Sequence, residues 1–252
     1  MRETATAWNP KYSRTVSALL AAIAGYVDSC TFLGLFGLFV AQVTGSFVVA
    51  GAWWVAHDPG FLVKVLGIPF FLLGGVLTTL LAAAASARGR SPLFWTFGLE
   101  GVLVFCFLAI GIARAPFSDP NGSAELVAAF LGLSAMGVQS ATVRLLMNGV
   151  ASTNVMTTNT TLIAIEATRM MLAWRGIRVT PGDGDVAVLF ATKRHEVLDL
   201  LLIVAGFLAG TIFGAIAFGV VSFWSLLLPT VATLSLAAWT LMEQTTRTSS
   251  AT

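Results

Sequence analysis

Six segments of the chain, residues 16–34, 65–85, 93–113, 126–147, 200–221 and 223–242, each run for about twenty residues with few or no charges, the length a helix needs to cross the hydrocarbon core of a bilayer. In lipid each backbone N–H and C=O must find its partner within the protein, so such segments fold as helices. A water-soluble fold fails on composition. Only 10% of the 252 residues are charged and 57% are hydrophobic, whereas a soluble domain carries about 25% charged residues. The sequence therefore reads as an all-α membrane protein, one integral membrane domain over residues 1–252 with the lipid bilayer as its first partner. A net charge of +2, with the basic residues spread between apolar blocks, excludes a nucleic-acid-binding face. Cys30 and Cys106 both lie inside apolar stretches and offer neither a disulfide framework nor a metal-ligand spacing. Arg2, Lys11 and Arg14 precede the first apolar run as in a signal peptide, but that run is long and carries Asp28, so it is read as the first helix.

Two further stretches are apolar but interrupted. Residues 36–56 contain Thr44-Gly45-Ser46, which leaves residues 47–56 continuous, about 15 Å if helical. Residues 155–174 open on Met156-Thr157-Thr158-Asn159-Thr160-Thr161 and carry Glu166 and Arg169. Each predicts a broken or half-helix, with regular hydrogen bonding abandoned around 44–46 and 157–159. If both stretches enter and leave on one side, six transmembrane helices result, and only Lys64 and Arg114 of the 14 basic residues fall opposite the N-terminus. That bias predicts cytoplasmic termini; an eight-span chain, with both stretches crossing fully, fits it slightly less well. Trp53, Trp54, Trp95, Trp174, Trp224 and Trp239 mostly fall near span or half-helix ends, where an amphipathic ring suits the headgroup layer.

The halves of the chain repeat one order of parts. Gly25, the break at 44–46, Phe71-Leu72-Leu73-Gly74 and one further span are matched by Gly137, the break at 157–159, Phe207-Leu208-Ala209-Gly210 and one further span. Residues 15–113 and 124–243 are thus expected to be two three-span repeats. An odd number of spans in each forces inverted topology, and in transporters built this way the substrate site lies near the midplane between discontinuous helices.

Several ordered motifs carry a family resemblance. Ala24-Gly25-Tyr26-Val27-Asp28, Phe32-Leu33, Gly37-Leu38-Phe39-Val40-Ala41 and Val43-Thr44-Gly45-Ser46, with Met136-Gly137-Val138-Gln139-Ser140-Ala141 and Met156-Thr157-Thr158-Asn159-Thr160 in the second half, resemble the YoaK-type family of bacterial polytopic membrane proteins of unknown function. Ser46 and Ser140 stand where that pattern has Asn, and Thr158 where it has Gly. The resemblance implies a polytopic protein of the bacterial inner membrane.

Within the apolar blocks, ionisable residues are the functional candidates, since a charge at the bilayer centre costs at least about 2.5 kcal/mol. Asp28 in the first span is read either as a proton-coupling carboxyl or as a structural acceptor capping a break; Glu100 in the third is a weaker candidate. Glu166 and Arg169 have pairing distance along a helix, while an Arg169 reaching inward would favour an anion. Asp28, Gln42, Thr44, Ser46, Gln139, Ser140, Thr157, Asn159 and Arg169 form the expected substrate-binding set, on the expectation that the two breaks face each other. The expected function is a transporter or permeation protein for a small polar or anionic solute, with a proton as the candidate coupling ion. The alternative is a non-transporting assembly or regulatory protein whose polar residues lock helices together. No nucleophile with a nearby base, no metal-ligand cluster and no phosphate-binding loop can be read, so neither an enzyme nor a metal or cofactor is expected. Small residues recurring at every fourth position, Ala21-Gly25-Ser29 and Gly206-Gly210-Gly214, predict close helix seams or a homodimer face.

Overall fold

A computed structural model describes residues 10–56, 60–147, 150–153, 155–175 and 186–249. Among these the chain forms α1 (Pro10–Gly34), α2 (Val43–Ala56), α3 (Phe61–Ala87), α4 (Pro92–Arg114), α5 (Ser123–Leu146), α6 (Met156–Trp174), α7 (Val186–Val221), a 3₁₀ turn (Ser222–Leu226) and α8 (Leu227–Ser249), with no strand. Five stretches are long and apolar enough to cross a membrane, and the last, 53 residues over Lys193–Thr245, holds both α7 and α8. The protein is a multi-pass helical membrane protein.

The sequence places small residues inside and large apolar ones outside, the arrangement expected when lipid gives no hydrophobic drive to helix association. Ala21, Ala24, Ala128, Ala129 and Ala135 are buried, whereas Leu72, Val76, Leu80, Leu208, Phe213 and Ile216 on α3 and α7 face outward. Helix α1 packs most extensively against α7, and α3 against α5. Both seams depend on glycine. A β-carbon on Gly206, Gly210 or Gly214 would overlap the carbonyl of Ala18, Ala22 or Tyr26, and one on Gly25 would overlap that of Phe207. In the second seam a β-carbon on Gly137 would overlap the Phe71 carbonyl, and one on Gly74 that of Ser134. Hydroxyls add to each, Ser29 donating to the Thr211 carbonyl at 2.9 Å and Ser134 to the Phe70 carbonyl at 3.2 Å. The small-residue faces that could have served a homodimer are therefore filled within one chain.

These contacts fix helix directions. Arg14 pairs with Asp199, and Ala18, Ala22 and Tyr26 meet Gly206, Gly210 and Gly214 in rising order, so α1 and α7 are parallel. Phe71 meets Gly137, and Gly75 approaches Ala141, so α3 and α5 are parallel too. Thr31 lies beside Gly132 while Leu20 bonds to Gln139, which makes α1 and α5 antiparallel. Phe107 beside Gly132, and Gly101 and Gly111 beside Leu234 and Phe223, set α4 antiparallel to both α5 and α8.

The interruptions fall earlier than the sequence reading placed them. Thr44-Gly45-Ser46 and Thr157-Thr158-Asn159 are the first turns of α2 and α6, and the non-helical segments are 35–42 and, among the described residues between α5 and α6, 147, 150–153 and 155. The physical reason is that hydroxyl and amide side chains favour helix starts, where they bond nearby backbone groups. Ser46 Oγ donates to the Phe39 carbonyl at 3.0 Å, and Asn159 Nδ2 donates to the Ser152 carbonyl at 2.7 Å. Each polar residue fastens its helix to the irregular segment before it.

Candidate functional site

Asp28 organises the first irregular segment. The chain turns back after α1 through Phe36 and Gly37, both in left-handed backbone conformation with φ of 51° and 68°. It then runs beside α1 until the amides of Val40 and Ala41 each donate to Asp28 Oδ1 at 2.7 Å and that of Gln42 donates to Oδ2 at 3.3 Å. Asp28 lies six residues before Gly34, so α2 begins about 9 Å back along α1 from its end. A helix start leaves N–H groups without intrahelical partners and favours a negative charge; Asp28 supplies both acceptor and charge from another helix. Lys64 on α3 donates to the Phe36 carbonyl at 3.0 Å and stands over the Trp53 ring at 5.0 Å, holding the far end of α2 near the turn.

Beside this clamp lies a cavity of about 310 Å³ lined by Asp28, Ser29, Phe32, Leu33, Phe39, Gln42, Phe207, Thr211 and Ala215. Its walls come from α1, the irregular segment and α7. Asp28, Ser29, Gln42 and Thr211 are among its lining residues, but its surface is almost wholly apolar, supplied by Phe32, Leu33, Phe39, Phe207 and Ala215, with the Phe32 and Phe39 rings 5.1 Å apart. No basic side chain lines it. Of the expected site residues only Asp28 and Gln42 belong to it. Phe32, Phe39, Phe207 and Thr211 escaped the sequence reading. Thr211 could have been suspected as a hydroxyl within a span, but the phenylalanines are indistinguishable in sequence from those facing lipid.

The expected residues of the second half gather elsewhere. Gln139 is fully buried on α5, and its Nε2 donates to the Leu20 carbonyl at 2.9 Å and to Thr153 Oγ1 at 3.4 Å. It thus ties α1 to the second irregular segment, which Asn159 also holds. Ser140 is half-buried, and Thr44 and Thr157 are exposed. None of Gln139, Ser140, Thr157 and Asn159 lines the 310 Å³ cavity. The expectation that the two breaks share one pocket is not met: the Asp28 and Leu20 levels, where the two segments attach to α1, are eight residues apart, about 12 Å along the helix.

Arg169 is engaged within the fold. Its guanidinium bonds Glu166 at 3.2 Å, and Lys193 of α7 approaches the same carboxylate at 3.6 Å, so the ionic group joins α6 to α7. Arg169 is thirteen residues beyond Met156, about 20 Å from the start of α6.

The chain belongs to the family described as "protein of unknown function (DUF1275)", whose model matches residues 16–239. No curated protein and no solved structure matches it.

Proposed function

We propose that this DUF1275 member, which we take to be the same family as the YoaK-type resemblance, is a transporter or permeation protein of the bacterial inner membrane for a small polar solute. It acts without catalysis. Its six spans, α1, α3, α4, α5, α7 and α8, form two three-span repeats of inverted topology over 15–113 and 124–243, with both termini cytoplasmic. Helix directions support this count: were α2 or α6 to cross the membrane fully, α1 would run parallel to α3, or α5 to α7. They run oppositely, because α1 is antiparallel to α5 while α5 is parallel to α3 and α1 to α7. Both half-helices are then re-entrant, and irregular backbone at membrane depth is tolerated where it is buried in protein or lines a cavity. Matched contacts support the repeat. Gly25 rests on the Phe207 carbonyl as Gly137 rests on that of Phe71, Gly210 meets Ala22 as Gly74 meets Ser134, and Ser46 binds Phe39 as Asn159 binds Ser152.

The observation that carries the transport reading is the cavity against the first re-entrant segment, apolar over most of its surface, with Asp28, Ser29, Gln42 and Thr211 among its lining residues. Pockets for small molecules combine an apolar lining with a few orienting polar groups. Of the two solute classes expected from sequence, the geometry favours the neutral or donor-bearing one here. The α2 start that could have held an anion is taken by Asp28, and no cation lines the cavity.

The test is thiol accessibility. In a Cys106→Ser background, with Cys30 buried, Gln42→Cys and Thr211→Cys are expected to react with a membrane-impermeant thiol reagent and to be protected by a solute found in a proteoliposome uptake screen. Lack of reaction at both positions from either side refutes a water-connected path. That outcome favours the second reading, a helix-locking assembly or regulatory protein, which draws support from the commitment of all Asp28 contacts to backbone amides.

A further inference from the structure

Glu100 is fully buried in α4, and neither carboxyl oxygen has a hydrogen-bond partner among the described residues. The same holds for Gln139 Oε1 on α5. The two groups come together by register. A β-carbon on Gly132 would lie 3.8 Å from Phe107, so the antiparallel pair α4 and α5 brings residue 107 opposite 132. Seven residues are two helical turns and return to the same face; stepping seven back on α4 and seven on along α5 brings Glu100 opposite Gln139. The amide orientation of Gln139 is set by its neighbour, because the Leu20 carbonyl can only accept and must therefore meet Nε2. Oε1 is left as an acceptor without a donor.

No charge answers Glu100. Residues 65–87 of α3, 126–143 of α5 and 227–242 of α8, the three helices packed on α4, contain no Asp, Glu, Lys, Arg or His. On α4 itself Glu100 is the one ionisable carboxyl, and Arg114 lies fourteen residues away, about 21 Å along the helix. On α8 the facing residues are Thr233, whose hydroxyl is donated to the Pro229 and Thr230 carbonyls, and Leu234. An ionised carboxylate without a partner in such surroundings is prohibitively costly.

We propose that Glu100 and Gln139 form a buried proton-binding site, in which the neutral Glu100 carboxyl donates its proton to Gln139 Oε1. One added proton, taken from water with formation of one O–H bond, gives the orphaned Gln139 Oε1 a donor and removes the buried charge of Glu100. When that bond breaks and the proton returns to water, Oε1 loses its donor and an anion stands between α4 and α5, so these helices must admit water. Gln139 also holds Leu20 on α1 and Thr153 in the second re-entrant segment, and through it the state of Glu100 reaches both. Only that last consequence, coupling of the proton to solute movement, rests on the transport reading.

The test is infrared spectroscopy of the whole protein in lipid nanodiscs at neutral pH. The expected result is a carbonyl band of a protonated, hydrogen-bonded carboxylic acid that shifts with ¹³C-labelled glutamate, vanishes in Glu100→Gln, survives in Asp28→Asn and moves toward the free-acid position in Gln139→Met. Glu100→Asp, which keeps the acid, is expected to retain a displaced band and serves if the amide variant fails to fold. Absence of the band in the unaltered protein overturns the proposal, as does thermal stabilisation by sodium that Glu100→Gln abolishes, which would make the site one for an alkali cation. None of these readouts depends on uptake or on labelling at Gln42, so this proposal and the transport reading can fail separately.

Discussion

Removing the Asp28 carboxylate should release the first re-entrant segment, and its size follows from the three bonds it accepts. Val40 and Ala41 are 0% and 4% exposed, so in Asp28→Ala their amides lose their acceptor where water cannot replace it. An orphaned buried donor costs about 1–3 kcal/mol, which gives about 2–6 kcal/mol for the pair. Asp28→Asn behaves differently. Both short bonds converge on one oxygen, Oδ1, and an amide keeps one carbonyl oxygen. It loses the charge assistance and turns its NH₂ toward the Gln42 amide, a loss of about 1–2 kcal/mol. Hydrogen–deuterium exchange on the reconstituted protein reads this locally. The amides of residues 40–42 should exchange at least about thirtyfold faster in Asp28→Ala, the factor for 2 kcal/mol, and distinctly less so in Asp28→Asn. Equal exchange in the two variants, or no change in Asp28→Ala, refutes the clamp. Loss of uphill uptake in Asp28→Asn with these amides still protected would instead make Asp28 a proton carrier.

Two further outcomes probe the matched contacts. Gly25→Val and Gly137→Val push a side chain into a carbonyl of the facing helix and should each lower stability in detergent unfolding by about 1–3 kcal/mol, whereas Gly98→Ala, with nothing within 4 Å of its β-carbon, should be neutral or gain up to about 1 kcal/mol. Ser46→Ala and Asn159→Ala each lose one bond to a carbonyl in the preceding irregular segment and should lose about 1 kcal/mol each, with faster amide exchange confined to the half-chain that carries the substitution.

The helices and their order were legible because membrane length and apolarity act locally, residue by residue. The close helix seams were legible for the same reason at one remove. A helix that must approach another closely marks the site with glycine, and Gly25, Gly74, Gly137 and Gly210 stand where backbones touch. What sequence could not give was which half each glycine touches. Helix α1 leans on α7 and α5 on α3, and that pairing depends on long-range packing. The irregular segments were misplaced by several residues because Thr-Gly-Ser and Thr-Thr-Asn look like breaks in an apolar run, yet in lipid they are helix starts whose side chains reach back to the true break. The cavity was hidden because Phe32, Phe39 and Phe207 carry no signal separating a lining ring from a lipid-facing one.

The two irregular segments are held by unlike chemistry. Position 28 is a carboxylate whose oxygens are consumed by three backbone amides, while the position that matches it when the halves of the sequence are laid on each other is Ser140, too short to make such a clamp. There the neighbouring Gln139 does the tethering with its NH₂ alone, and its Oε1 is an open acceptor, which the proposed site sets opposite Glu100. A fully satisfied carboxylate resists change, since giving up its contacts orphans buried donors. A half-satisfied amide opposite an unpaired acid gains or loses a bond with a single proton. The first segment is thus suited to form a fixed wall of the cavity, and, on the proposed transport reading, the second to be the part that responds to proton binding.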